Sequence, residues 1–206
     1  MKELYRGGGI VAVEKPPGVN VIPGREGGDS LRAQLEAQLG AKVWVVHRID
    51  RDTSGVVVFA LNAEAHREWS MAFERGEPKK RYLAIVEGRL EAERVLDWPL
   101  SPARRGRMRV SAQGKEAKTV VRPVELFAAA TLVEAEPLTG RTHQIRVHLA
   151  QAGHPLLFDH QYRRGEQSPL IGRTPLHAAR LQWGGVVIES PLPEDMSAVL
   201  SRLRSP

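Results

Sequence analysis

Two strings in the chain are more polar and more highly charged than their apolar flanks would lead one to expect. The first runs His47-Arg48-Ile49-Asp50-Arg51-Asp52-Thr53-Ser54-Gly55 and lies between Val45-Val46 and Val56-Val57-Val58. Charges pressed between core strands are costly unless they line a cleft, and loops at strand ends are where reactive groups are usually mounted. The second is Leu138-Thr139-Gly140-Arg141-Thr142-His143-Gln144-Ile145-Arg146-Val147-His148. Arg146 follows the core-facing Ile145, which sets it near a helix boundary and aims it at a partner rather than at water. The plain alternatives are a turn in which Asp52 and Thr53 cap backbone amides, and an arginine lying along a solvated helix face.

Several chemistries fail on spacing. Gly114-Lys115 is preceded by Arg109 where a phosphate-binding loop needs glycine and is followed by Glu116 where it needs Ser or Thr. Gly7-Gly8-Gly9 precedes the first predicted strand, whereas a dinucleotide fingerprint follows it, so these glycines read as a flexible lead-in. No Gly-x-Ser-x-Gly elbow occurs. His47, Asp50, His143 and His148 raise the question of a metal. A five-residue step on a helix turns about 140°, however, so His143 and His148 do not converge as an i, i+4 pair would. No metal site is expected, and ring nitrogens bonded to backbone or to neighbouring side chains are the commoner fate of such histidines.

The elements that must carry these strings follow from periodicity and caps. Ile10 to Glu14 reads as a buried strand closed by Lys15-Pro16-Pro17-Gly18, and a glycine-rich loop follows. Asp29 or Ser30 caps a helix bearing Leu31, Leu35 and Leu39 and ending at Gly40. Val43–Val46 and Val56–Leu61 are strands, and Asn62 caps a helix with Ala65, Trp69, Ala72 and Phe73 on one face, ended by Gly76. Lys80–Val86, Thr119–Phe127, Ala130–Ala135 and Gly185–Glu189 read as strands. Pro99–Gly114 reads as a hairpin or loop with few apolar anchors. Helices are predicted over Thr142–Gln151, with Ile145, Leu149 and Ala152 buried, and at the C-terminus with Met196, Val199, Leu200 and Leu203 at helical spacing. There is no repeat and no linker, so residues 1–206 are expected to form one mixed α and β domain.

Composition narrows the partner. The 206 residues carry 30 basic and 24 acidic side chains, a net charge of +6, and 23 of the basic residues are arginine. Arginine's planar fork suits phosphates and bases, so the bias leans towards nucleic acid. Between Ser101 and Arg122 there are seven basic residues and one acidic one, the densest basic stretch in the chain. Zero cysteines exclude a disulfide framework, a thiolate nucleophile and a cysteine metal site, and point to the cytoplasm. No apolar run approaches the ~18 residues of a membrane-spanning helix.

Taken in order, several strings resemble the RluA-type RNA pseudouridine synthases. They are Val13-Glu14-Lys15-Pro16-Pro17-Gly18, His47-Arg48-Ile49-Asp50 with Asp52-Thr53-Ser54-Gly55, Lys80-Arg81-Tyr82-Leu83-Ala84 with Gly88, and Thr139 to His148. Gly153-His154-Pro155, Leu176-His177-Ala178 and Pro191-Leu192-Pro193 complete the series. The resemblance implies an α+β fold: a bent, mixed and largely antiparallel sheet with a central catalytic cleft, flanked by helices and loops. It implies an isomerase that needs no cofactor and acts on uridine in ribosomal or transfer RNA. Asp50 matches the catalytic aspartate, Arg146 the arginine that pairs with it, and Tyr82 the aromatic residue packed on the target uracil. Arg48 matches the residue that enters the space left by the flipped nucleotide. His47, Arg141 and His143 belong to the same motifs and are expected at the substrate, while Arg104, Arg105, Arg107 and Arg109 are expected on RNA phosphates. The carboxylate could add to the sugar or the base, or remove a sugar proton. The family's appended S4-type domain is not expected, because Lys15-Pro16-Pro17-Gly18 begins so close to the first residue. A monomer is expected. Ile49 for the usual Leu, Phe158 for a Gly before Asp159, and Trp183-Gly184-Gly185 without His-Pro are departures. Two rivals draw on the same residues: a metal-dependent phosphodiesterase using His47, Asp50, His143 and His148, and a non-catalytic RNA-binding module that makes no demand on Asp50.

Overall fold

A computed structural model describes residues 1–24 and 27–205, so two residues of the predicted glycine-rich loop lie outside it. The architecture is α+β, with largely antiparallel strands flanked by helices. The chain divides into two compact units, Met1–Lys79 with Ala178–Pro191, and Lys80–His177 with Leu192–Pro206.

The first unit is built on β1 (Glu3–Gly7), β2 (Ile10–Lys15), β3 (Trp44–Val45), β4 (Ser54–Ala60), β11 (Leu176–Trp183) and β12 (Val186–Glu189). The order β1-β2-β4-β11 holds, with β3 also on β4 and β12 also on β11. β1 corrects the reading of Gly7-Gly8-Gly9 as a lead-in. Gly8 and Gly9 take φ of 56° and 72°, the left-handed pair that closes a tight hairpin, so Gly7 faces Ile10. All seven residues of β4 are buried, which is why its sequence is a continuous apolar run rather than an alternating one. Helix α1 (Leu31–Leu39) starts where the Ser30 side chain accepts from the Ala33 amide and stops at left-handed Gly40. Helix α2 (Ala63–Arg75) is capped by Asn62 and Gly76. Its Ala65 and Trp69 pack on Ile10, Ala12, Val56, Val58 and Ala60, with Leu181 and Ile188 in the same cluster. Both helix spans agree with the caps read from sequence.

The second unit contains β5 (Lys79–Glu87), β6 (Arg94–Asp97), β9 (Lys118–Leu126) and β10 (Ala130–Pro137) in the antiparallel order β5-β10-β9-β6. A separate hairpin is formed by β7 (Leu100–Pro102) and β8 (Met108–Val110) around a 3₁₀ turn at Arg104–Gly106. Side chains alternate along β5 and β10. Ala84, Val86, Val133 and Ala135 pack with Ile145 and Leu149 of α3 (Gln144–Gln151). Ile85 and Leu132 pack with Met196, Val199 and Leu200 of α4 (Glu194–Arg204). Burying each such aliphatic side chain is worth about 1.5–3 kcal/mol, so the two helices hold this sheet from opposite faces. The short strand β6 does not stand out in the sequence. Helix α3 begins two residues later than predicted, at Gln144, because His143 is left-handed (φ 53°).

Gly55 faces Lys15 across β2 and β4 and has φ +113°. A Cβ there would stand 2.2 Å from the Ala178 carbonyl oxygen, far inside contact distance. Neither the dihedral nor the neighbouring backbone can accommodate a methyl group. Gly55→Ala is expected to cost about 3 kcal/mol or more of unfolding free energy, or to prevent accumulation of soluble protein. Urea denaturation checks this, and a variant with wild-type stability would contradict it.

Candidate active site

The residues singled out by sequence fall in both units. His47, Arg48 and Asp50 lie in the first, and the remaining candidates in the second. In the first, the chain from Val46 to Thr53 is an irregular stretch anchored by the buried Val46 and Ile49. His47 is half-buried and stacks on Phe73 with ring centroids 4.5 Å apart, while its Nε2 accepts the Val58 amide at 2.9 Å. That bond fixes the Nδ1–H tautomer and ties the loop to β4, a positioning part in addition to the substrate contact expected of it. Arg48 is exposed, and Asp50 is half-buried with its carbonyl accepting the Thr53 amide.

The turn after Asp50 is held by a residue that entered the sequence reading only as part of a motif. Lys15 is fully buried, and its Nζ donates to the carbonyls of Pro16, Val19 and Arg51 at 2.8, 2.8 and 2.7 Å. Those three bonds match the three donors of an ammonium and help a buried cation to be tolerated there. Gly18 donates to the Arg51 carbonyl, and the Arg51 Nε returns a bond to the Gly18 carbonyl. The carbonyl of Arg51, the residue after Asp50, is therefore gripped by one side-chain donor and one backbone donor.

In the second unit, Tyr82 is half-buried and packs against the cluster that contains Ala84, Ile145 and Leu149. Burial holds the neighbouring Lys80 ammonium below the ordinary lysine range. The second string is knitted together by Gln144, which is 4% exposed. Its Oε1 accepts from Thr139 Oγ1 and the Arg141 amide, and its Nε2 donates to the Lys118 carbonyl and Thr119 Oγ1. Arg141 is exposed, and its Nε donates to the Glu116 carbonyl at 2.8 Å.

Arg146 aims its guanidinium into the protein, and one of its partners is Asp159. Its Nε and Nη2 donate to the two Asp159 carboxylate oxygens at 2.8 and 2.9 Å, with Arg146 about nine-tenths buried and Asp159 1% exposed. Two parallel charge-assisted bonds fix the plane of the guanidinium. Asp159 also accepts the amides of Gln161 and Tyr162, and Gln161 Oε1 accepts from Arg146 Nη2. In the sequence Asp159 is marked only as the neighbour of Phe158, and nothing local announces that a buried arginine 13 residues away draws on it. His143 Nδ1 lies 2.7 Å from the Tyr162 hydroxyl, and the Tyr162 ring lies 5.0 Å from the Arg146 guanidinium. His148 is fully buried, with Nε2 on the Trp98 carbonyl and Nδ1 on Thr119 Oγ1, as in a core histidine. Among the described residues no cluster of three or more His, Asp or Glu is placed to hold a metal ion.

The hairpin corrects one expectation. Leu100 is buried with Val147, and Met108 and Val110 pack against them, so the segment has apolar anchors. Arg107 lies against the Tyr162 ring and donates to the Gln161 carbonyl. Arg104, Arg105 and Arg109 are exposed. The structure thus gathers Arg107, His143 and Arg146 around Tyr162.

Residues 9–151 match the family described as RNA pseudouridylate synthase. The chain is 38% identical over its full length to the ribosomal large subunit pseudouridine synthase D of Nitrosomonas europaea, of which it spans 66%, just under two thirds. It is 38% identical over 86% of its length to the dual-specificity RNA pseudouridine synthase RluA of Escherichia coli, covering 84% of that protein. The solved structure of human RNA Pseudouridylate Synthase Domain Containing 4 superposes with a TM-score of 0.83 at 24% identity, over 98% of this chain and 93% of the human one.

Two outcomes follow from this geometry. Lys15→Met removes the ammonium donor from the Pro16 and Val19 carbonyls and leaves the Arg51 carbonyl with the Gly18 amide, and is expected to cost about 2–4 kcal/mol in urea unfolding; an unchanged midpoint would contradict the clamp. His148 has its protonation pushed below the ordinary value of 6.5, chiefly by burial. The unfolded chain then takes up a proton that the folded chain refuses, so stability is lost as pH falls below about 6.5 towards the lowered folded value. His148→Asn is expected to flatten the dependence of the urea midpoint on pH in that window, and an unaltered slope would contradict it.

Proposed function

The chain belongs to the RNA pseudouridylate synthase family, which isomerises uridine in RNA, and we propose that it does so with Asp50 as the catalytic carboxylate, Arg146 as its countercharge and Tyr82 as the base-stacking residue. The observation that carries this reading is the matched segment 9–151, which contains both polar strings and Tyr82 in the family's order. The reaction breaks the bond from C1′ to N1, turns the uracil and joins C1′ to C5. The C5 proton leaves and N1 gains one, so atoms balance without an oxidant, a reductant or a hydrolytic water. One ionised carboxylate can open this sequence, whether by attack or by removing a sugar proton. An arginine held rigidly in a dry site suits the task of keeping that carboxylate charged.

The substrate is folded ribosomal or transfer RNA, in keeping with the RNA named for the relatives. A uridine inside such RNA leaves its stack at a cost of a few kcal/mol. Stacking on Tyr82 and insertion of the exposed Arg48 offset part of that cost. Arg104, Arg105 and Arg109 offer phosphate contacts, with Arg107, Arg141, His143 and His47 supporting them from anchored positions. The protein works as a monomeric catalytic domain without a cofactor, in the cytoplasm, which suits a chain with no cysteine and, among the described residues, no helix long and apolar enough to cross a membrane.

Asp50→Asn keeps side-chain volume but provides neither nucleophile nor base. It is expected to lower the single-turnover rate at least roughly a thousandfold while RNA affinity and unfolding midpoint stay near wild type. Carbodiimide primer extension on the modified RNA reads the product, and substantial turnover by the variant would overturn the assignment.

A further inference from the structure

We propose that Tyr162 is a positioning residue that couples the basic hairpin β7–β8 to Arg146, so that anchoring the hairpin sets the catalytic arginine. The proposal rests on the reading of Arg146 as part of the reacting site. Tyr162 belongs to none of the strings that stand out in the sequence.

Its phenol oxygen accepts the Met108 amide of β8 at 2.8 Å and meets His143 Nδ1 at 2.7 Å. One hydroxyl thus bridges the hairpin and the residue that starts α3. Its ring lies 5.5 Å from the Arg107 guanidinium and 5.0 Å from that of Arg146, within the range at which a cation is attracted to an aromatic face. The adjoining Gln161 repeats the link, its carbonyl accepting from Arg107 and its Oε1 from Arg146 at 3.2 Å. Asp159 closes the bracket by accepting from Arg146 and from the amides of Gln161 and Tyr162. Two consecutive residues therefore hold the hairpin on one side and Arg146 on the other.

His143 adds the strained member. It is one of two non-glycine residues with positive φ among the described residues, and the other is Arg105 at the hairpin tip. A non-glycine residue in that region persists only where its surroundings hold it, and one side-chain partner here is the Tyr162 hydroxyl. The start of α3, and Arg146 one turn into it, are fixed partly by a bond whose other end is the hairpin. Phosphates that engage Arg104, Arg105 and Arg109 favour the anchored hairpin, and the same bracket favours the seated arginine.

Single-turnover rates at saturating RNA and RNA dissociation constants are measured for wild type, Tyr162→Phe, Tyr162→Leu, Arg107→Gln and the double variant Arg107→Gln/Tyr162→Phe, each normalised to its active fraction. Tyr162→Phe keeps the ring and removes both hydroxyl bonds, and is expected to lower the saturated rate roughly tenfold while the dissociation constant moves little. Tyr162→Leu is expected to fall further. The double variant is expected to be no slower than the slower single variant, because both substitutions break one bracket. A merely structural tyrosine would reduce the active fraction and leave the rate of the active molecules alone. That result, or multiplicative effects in the double variant, with wild type active, would overturn the coupling alone. An inactive wild type would overturn the functional reading and the coupling with it.

Discussion

A guanidinium taken out of water has to be met by an acid, and in this protein the bidentate pair of Arg146 and Asp159 meets that demand. Breaking a buried pair of this kind by removing one partner costs about 3–5 kcal/mol, far more than an exposed ion pair contributes. The surrounding structure is arranged to spare the pair that loss. Gln144 locks the turn that leads into α3, Ile145 and Leu149 press the helix on the sheet, and the Asp159–Tyr162 segment gives its amides to the carboxylate. A side chain that is long and mobile on a protein surface becomes here a planar group of fixed orientation.

The same economy governs the turn at Asp50. The backbone there is gripped at the residue after Asp50, where Lys15 and Gly18 bond the Arg51 carbonyl, and at His47, whose ring takes the Val58 amide. Gly55 then lets the strand after the turn lie hard against the Ala178 backbone. In each unit a residue of the polar string is held by an interaction made one to three positions away along the chain, or by a partner brought from a distant segment.

Much of this was legible in the sequence because it is local. Ser30 with Gly40 and Asn62 with Gly76 bound their helices through side-chain and backbone geometry within a few residues, and an apolar run such as Ser54–Ala60 announces a strand buried on both faces. Strand β6 was not legible, because only Leu96 among its four residues is buried. Strand β1 was hidden by three glycines that look like slack and instead close a hairpin. The start of α3 shifted because a left-handed histidine has no signature in composition. The strings holding Asp50 and Arg146 stood out as charge among apolar residues, whereas Asp159 and Tyr162 did not. Their importance comes from partners that are 13 and 54 residues away, which neither periodicity nor capping can reveal.

The central claim is that this chain replaces the bond from C1′ to N1 of a uridine by one from C1′ to C5, which obliges the C5 hydrogen to leave. Incubating the purified protein, with no cofactor added, with folded ribosomal or transfer RNA carrying tritium at C5 of its uridines measures that step directly. Release of tritium to water, rising to a plateau of whole sites per RNA, is the predicted result. An RNA that stays fully labelled across ribosomal and transfer substrates would contradict the account.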